Sequence, residues 1–321
     1  MNSVLITAIG SFSAEAAIRA ARSLGLTVYG CDINDRRWIA QSGLVDRFFR
    51  APYASEEDCY IDFINDTGAD FVLPSTDTEV DVLSRRRDDL KGKLLISDRK
   101  AIEVCRDKMK WAEYAGKIGL AIPSEYLEDC EMPAGMPVIV KPVNGRSSIG
   151  FRKIGDTAEY TFVRDRLLAE GPGRYMVQPF IEGDLITVDV VRDPYTGMSE
   201  ALPRQELLRT PNGAGTSVRV FRDKDIEAAA AMLAEGLDIT GTVCIEFLRT
   251  SSGRFFTLEC NPRFSGGIAF SVRAGYDFAR AHFTCFGISD ADSRGFRTAI
   301  PAMPAIPETY IARMYGEYVI E

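Results

Sequence analysis

The sequence predicts an α/β unit followed by a larger α+β body, on three observations. Residues 3–31 open with a strand, a helix and a second strand, the βαβ order of a parallel sheet. After residue 175 the alternation of helices and strands gives way to a run dominated by strands. Residues 243–260 carry a hairpin signal, two apolar arms around Thr250-Ser251-Ser252-Gly253.

Each element rests on a local pattern. Residues 3–9 are a short apolar run that stops at Gly10, as a buried parallel strand does. Residues 14–24 have helical spacing and end at Gly25, a C-cap residue. Residues 27–31 predict the second strand, ending at Asp32. A helix over 61–66, a strand over 71–73 before Pro74, a helix over 81–90 and a strand over 94–96 complete the first unit, residues 1–97. The Arg85-Arg86-Arg87-Asp88-Asp89 run inside it reads as a solvated face. Residues 98–119 predict one long helix. Then come a Pro/Gly loop at 131–137, a strand over 138–143, a helix over 158–169 and a strand over 175–177 that runs into Pro179. Strands over 186–192 and 200–207, a helix over 225–238 and the hairpin follow, with a hinge near 178–182. There are no internal repeats and no low-complexity tracts.

Composition narrows the chemistry. The 321 residues are 46% hydrophobic and 26% charged, an ordinary globular balance that fits two or three domains. No apolar stretch approaches the roughly 20 residues of a membrane span. The start, Met1-Asn2-Ser3, has no basic segment or cleavage site of a signal peptide, so a cytoplasmic protein is expected. A net charge of −8 disfavours a general nucleic-acid binder. The seven cysteines are dispersed without close pairs and read as reduced thiols. The single histidine, His282, excludes a multi-histidine zinc site, and its aromatic surroundings favour a packed helix residue over a catalytic one. Any metal must then be held by carboxylates and amides, which selects a hard ion such as Mg²⁺.

Three constellations carry chemistry. In the hairpin, a four-residue turn at 250–253 puts Glu246 opposite Thr257, with Glu259 diagonal to it on the same face, roughly 7–8 Å away. Glu259 and Asn261 alternate onto that face too. Two carboxylates and an amide among apolar neighbours call for a divalent cation or for an arginine partner; Arg263 and a Ser265-Gly266-Gly267 stretch lie next to them. The second constellation is Val138-Ile139-Val140-Lys141-Pro142 before a Gly/Ser loop, Gly145 to Gly150. Such a loop cradles phosphate or is simply a strand–turn junction. It is not a Walker A loop, because the lysine precedes the glycines. The third is Val177-Gln178-Pro179-Phe180-Ile181-Glu182-Gly183, extended and Pro-containing, a ligand edge or an ordinary loop.

In this order the three resemble the ATP-grasp superfamily, and most of all its carbamoyl-phosphate-synthase-large-chain-like carboxylate–amine ligases. The resemblance runs over nearly the whole chain and is carried by Glu246…Glu259-x-Asn261-Pro262-Arg263 with the lysine strand upstream. It implies a Rossmann-like pre-ATP-grasp domain over 1–97, then a two-lobed ATP-grasp domain. The lobes would be an N-lobe with linker helix over 98–178 and a C-lobe with the Mg-ATP site over 179–321. It further implies that Glu246, Glu259 and Asn261 hold Mg²⁺, with Mn²⁺ as a substitute. Lys108 and Lys141 would contact ATP phosphates, and Gly145, Ser147, Ser148 and Gly150 would form the lid over them. Gln178, Phe180 and Ile181 would meet adenine, and Glu182 the ribose. Arg263, together with Lys141, would neutralise charge on the transferring phosphoryl group. Leu185 departs from the family at a position where relatives often carry an acidic ribose contact. Arg204, Arg209, Ser265 and Gly266 fall where relatives bind substrate; for Arg204 a structural ion pair is the alternative. Residues 74–79 follow a strand end, the place for a ligand in an open sheet or for a helix cap by Thr76 or Asp77.

The implied activity is an ATP-dependent carbon–nitrogen ligase acting on a small carboxylate and an amine, without nucleic acid or membrane partners, and a homodimer is compatible with it. Two alternatives stand beside it. A nicotinamide-dependent oxidoreductase would use the βαβ start and Asp32, against which Gly10-Ser11-Phe12-Ser13 lacks the G-x-G-x-x-G spacing. A nucleotide-binding module without catalysis would keep the clamp and transfer nothing.

Overall fold

The opening apolar run forms β1 (Ser3–Ile6), with all four side chains buried. Helix α1 (Ala14–Ser23) returns along the sheet to β2 (Thr27–Asp32), which pairs in parallel with β1. The computed structural model describes residues 2–145, 149–211, 213–289 and 298–320. Strand β3 (Arg47–Arg50), helix α2 (Glu57–Asp66), strand β4 (Phe71–Leu73), helix α3 (Asp77–Arg85) and strand β5 (Lys93–Leu94) complete a parallel sheet in the order β3-β2-β1-β4-β5. The expected strand at 94–96 is thus shorter and earlier. Strand β3 escaped the sequence reading because it is flanked by arginines at both ends and is only half-buried. Thr76 caps α3 through a capping box with Glu79, the cap alternative of the sequence reading. Asp32 accepts from the Gly10 N–H at 3.0 Å and from both nitrogens of Asn34, so its carboxylate fixes the β1 turn.

The single helix expected over 98–119 is two, α4 (Arg99–Arg106) and α5 (Lys108–Gly116). Asp107 breaks it: its backbone is extended, and its carboxylate caps α5 by accepting from the N–H groups of Met109 and Lys110. Both helices pack on the far strands of the chain: Cys105, Trp111 and Ala115 share a core with Ile186, Ile245 and Cys260.

A second, antiparallel sheet in the order β6-β9-β7-β8 contains β6 (Glu125–Tyr126), β7 (Val138–Pro142), β8 (Arg152–Ile154) and β9 (Tyr175–Pro179). It is covered by α6 (Thr157–Leu168) and has its own core around Val140, Ile154, Tyr160 and Val177. The third sheet has the order β14-β13-β10-β11-β12-β15. Its strands are β10 (Asp184–Arg192), β11 (Ser199–Arg209), β12 (Gly215–Val220), β13 (Gly241–Arg249), β14 (Phe255–Asn261) and β15 (Thr309–Ala312), all antiparallel. Helix α7 (Lys224–Gly236) covers it, and α8 (Ile268–Ala274) and α9 (Phe278–Cys285) face α1. One core therefore runs from Val4 and Ile18 to Val191, Val218 and Phe283 and joins the first sheet to the third.

His282 sits in that junction, fully enclosed. Its Nδ1 accepts from the Thr242 N–H at 2.9 Å and its Nε2 meets the Leu95 carbonyl at 3.1 Å. It is a packed helix residue, as its aromatic neighbours predict: Phe264 and Phe286 lie with ring centroids 4.8 and 4.9 Å away. Among the described residues no helix is long and apolar enough to cross a membrane.

Candidate active site

Strands β13 and β14 bring the acidic groups together more closely than expected. Glu246 pairs directly with Glu259, and Cys244 with Asn261. The expected register put Thr257 opposite Glu246. Instead Phe247 pairs with Thr257, and Leu258 bulges out between the two registers. At the bulge the Glu246 carbonyl accepts from the Thr257 hydroxyl at 3.2 Å, and the Trp111 indole N–H donates to the same hydroxyl at 3.1 Å. The bulge preserves the alternation, so Glu246, Glu259 and Asn261 share one face as the sequence predicts.

Two lysines meet this acidic floor. Lys108 opens α5. Its Nζ lies 3.1 Å from Glu259 Oε2 and donates to the Gly145 carbonyl at 2.8 Å. Its backbone N–H donates to Val143, which ties α5 to the end of β7. Lys141 comes from β7 itself. Burial pushes its ammonium down to about 8, a fall opposed by Glu259 and Glu246 and furthered by Lys108. Burial, and then the neighbouring Glu259, push the Glu246 carboxyl up. Burial would raise Glu259 as well, but Lys108 and Lys141 hold it below the ordinary carboxylate range. One carboxylate is thus compensated by protein cations, and the other has a deficit that a cation would fill.

Arg263, two residues past Asn261, makes a bidentate pair with Asp77 at 2.8 and 2.9 Å. Asp77 belongs to α3 of the first sheet. Burial would raise its carboxyl, yet Arg263, Arg106 and Lys108 hold it low. Sequence reasoning missed this partnership. The position of Asp77 just past the C-terminal end of β4 marks it as ligand-facing, but nothing local pairs it with Arg263.

These groups line one cavity of about 1150 Å³ between the three sheets, together with Gly145, Arg204, Arg209, Ser265 and Gly266. Leu185 lines it too, with no acidic group at that place. Gly150 packs against Pro142: its φ is +78°, and a Cβ there would lie 2.8 Å from the proline ring. Ser147 and Ser148 lie outside the described residues, as do Arg146 and Asn212. Gln178, Phe180, Ile181 and Glu182 are not among the lining residues. The Gln178 amide donates to Ser124 Oγ at 2.6 Å, and the Phe180 N–H to the Pro137 carbonyl at 3.0 Å. Ile181 is half-buried and Glu182 exposed, between β9 and β10.

Arg204 makes the ion pair that was its alternative. Its guanidinium reaches Asp189 at 2.6 Å, Glu206 at 3.3 Å and Ser265 Oγ at 2.9 Å, and it is enclosed. Asp189 also accepts from Ser265 and Ser271. Gly267 completes the fit, since a Cβ there would come within 2.6–2.8 Å of the guanidinium. Arg209 donates to the Gly213 carbonyl at 2.8 Å and is exposed. The Gly266 carbonyl accepts from Arg313.

The fit to a metal follows from these donors. Among the described residues no three His, Cys, Asp or Glu side chains are grouped to hold an ion. Two carboxylates and an amide oxygen remain, which match a hard divalent cation whose shell is completed by phosphate oxygens and water.

This arrangement is the ATP-grasp fold: a parallel α/β unit, and two antiparallel sheets that enclose a cleft with lysines above and carboxylates below. A family model described as ATP-grasp in the biosynthetic pathway with Ter operon matches residues 172–296. The sequence is 26% identical over 190 residues to D-alanine--D-alanine ligase of Stutzerimonas stutzeri, covering 53% of this chain and 58% of that ligase. The chain thus matches little more than half the length of that curated relative. The biotin carboxylase–β,γ-ATP complex from Campylobacter jejuni superposes with a TM-score of 0.76 at 16% identity, over 97% of this chain and 74% of that one. A biotin carboxylase domain dimer of Hydrogenobacter thermophilus 2-oxoglutarate carboxylase, in complex with MgADP, ADP and bicarbonate, superposes with a TM-score of 0.75 at 18% identity, over 92% and 72%. The chain is similar to the carboxylate–amine ligases of the ATP-grasp superfamily.

Proposed function

We propose that this protein is an ATP-dependent carboxylate–amine ligase. The observation that carries the reading is the facing pair Glu246 and Glu259 beneath Lys108 and Lys141. Glu246, Glu259 and Asn261 would hold one or two Mg²⁺ ions, or Mn²⁺ as a substitute. When bound, the metal neutralises phosphate charge and orients the β- and γ-phosphates. Lys141 and Lys108 would bind phosphate oxygens from above, under the glycine loop of Gly145, Ser147, Ser148 and Gly150. The adenine would sit beside the stretch of Gln178, Phe180, Ile181 and Glu182 at the edge of the cavity, where the Gln178 amide and the Phe180 N–H are engaged by Ser124 and Pro137.

The chemistry needs no protein nucleophile. An oxygen of the substrate carboxylate attacks the γ-phosphorus, the bond to the β–γ bridging oxygen breaks, and ADP leaves. The amine nitrogen then attacks the carbonyl carbon of the acyl phosphate, and phosphate leaves as the nitrogen gives up its surplus proton. Such phosphoryl transfer depends on positioning and on neutralising charge. Arg263, oriented by Asp77, would face the developing charge, and the Ser265–Gly267 backbone would approach the reacting groups. The domain division at 97 and 178, a cytoplasmic location and a homodimer like that of the Hydrogenobacter domain belong to the same reading.

An ADP-release screen of amino acids and small carboxylates, each with and without an amine, tests it. The expected result is release stimulated by a carboxylate and lost in Glu259→Gln, with the circular dichroism of the variant unchanged. ATP binding without stimulated release would favour the nucleotide-binding module. Full turnover in Glu259→Gln would overturn the metal assignment.

A further inference from the structure

The cavity reaches well past the acidic floor. Pockets for one small ligand commonly enclose ~300–1,000 Å³, and this one encloses about 1150 Å³. The surplus lies against the first sheet, past the C-terminal ends of β1, β2 and β3. Three large apolar side chains from three separate loops face it there: Phe12, Ile33 and Tyr53, exposed by 37%, 43% and 60%. An isolated exposed apolar side chain is ordinary, whereas several converging on one cavity mark a ligand surface.

Several polar groups on this wall are occupied by one another or by Arg263. Ser11 and Ser13 share a hydrogen bond at 3.2 Å. Asp32 serves Gly10 and Asn34. Glu79 accepts from the Tyr60 hydroxyl at 3.0 Å and from Thr76 at 2.8 Å, and Asp77 is bound to Arg263. Beside them the rings of Phe12 and Tyr53 and the side chain of Ile33 face the cavity. Phe12 is fixed in place: Arg313 lies over its ring at 4.4 Å, and its Cβ is 3.8 Å from where a Gly266 Cβ would stand. The wall thus begins beside the Ser265–Gly267 stretch and leads away from it.

We propose that one of the two ligase substrates carries a branched-aliphatic or aromatic group, and that Phe12, Ile33 and Tyr53 select it. This rests on the ligase reading of the same cavity. A methylene more or less in such a pocket changes discrimination by about 10–200-fold, so the wall is able to separate large apolar side chains from small polar ones.

Calorimetry with the full chain at saturating MgADP tests this, with phenylalanine, leucine, glycine, serine and aspartate as probes. Phenylalanine or leucine is expected to bind at least about 10-fold more tightly than glycine or serine. Tyr53→Ser and Ile33→Ser are expected to remove that preference while the ADP affinity is kept. Both side chains are partly exposed, so their loss leaves the fold intact. Equal binding of all probes, no binding of the apolar ones, or a preference that survives both substitutions overturns the proposal. The ADP-release screen separates the two readings. Release driven by polar amino acids and unaffected by Tyr53→Ser keeps the ligase and removes the wall. Apolar binding lost in Tyr53→Ser, without ADP release for any pair, does the reverse.

Discussion

Glu246 and Glu259 face each other across β13 and β14, brought into register by a single bulged residue, Leu258. Glu259 is compensated by Lys108 and Lys141, whereas burial and then the neighbouring Glu259 raise the Glu246 carboxyl, so its charge opposes folding until a cation joins it. Glu246→Gln keeps the volume and removes one charge. In metal-free buffer this variant is expected to be more stable than the parent by roughly 1 kcal/mol, about the worth of one pKa unit. Stabilisation by Mg²⁺ with ADP should shrink, and ADP release should be lost. Thermal melts with and without MgADP check this; a variant less stable in metal-free buffer would contradict it.

Arg204 is enclosed with Asp189, and its loss would leave that carboxylate without a cation. Removing one partner of a buried pair costs about 3–5 kcal/mol, so Arg204→Ala is expected to lower the urea midpoint sharply. Gly267→Ala should act the same way more mildly, because its Cβ meets the guanidinium. Unchanged stability with a raised KM for one substrate would instead make Arg204 a substrate contact.

Asp77 orients Arg263 from another sheet. Asp77→Asn keeps the size and breaks the charge-assisted pairing, which lets the guanidinium drift. A displacement of about 1 Å near the reacting atoms can cost about 100-fold in rate, and a loss of about 10–100-fold in kcat is expected, with the KM for ATP little changed. An equal rise in that KM would place Arg263 in ground-state binding.

His282 gives the pH dependence its sign. Burial pushes its imidazole down to about 3, against ~6.5 in an unfolded chain. Below pH ~6.5 the unfolded chain takes up a proton that the folded one refuses, so this contribution is complete above that pH and is lost as the pH falls toward 3. The slope is at most ~1.4 kcal/mol per pH unit. Melts from pH 7 to pH 5 should fall less steeply in His282→Gln than in the parent.

Much of this was legible because it follows from local periodicity. Val138 to Lys141 reads as a buried strand with a lysine, and alternation along β14 puts Glu259 and Asn261 on one face. The bulge at Leu258 has no such signal, since a register shift depends on what both strands meet in three dimensions. Strand β15, four residues with alternate side chains half-buried, pairs with β12 across about ninety residues and carries no pattern of its own. The break at Asp107 was readable in principle, because Asp before a new helical run is a cap signal. The Asp77–Arg263 pair and the wall of Phe12, Ile33 and Tyr53 were not, because both arise where loops from distant segments converge.

The placement of His282 shows which parts of the molecule are packed as one piece. Its ring bonds β13 to the carbonyl of Leu95, and the core around it is continuous from the parallel sheet to the six-stranded one. Those two sheets are welded into a single base. Residues 125–179 keep a separate core and join the base through the chain at either end, where the Leu120 carbonyl accepts from the Thr257 N–H, and through the contacts of Lys108. The cleft is thus walled by two separately packed pieces: Lys141 stands on the four-stranded one, and Glu246, Glu259 and Arg263 stand on the base.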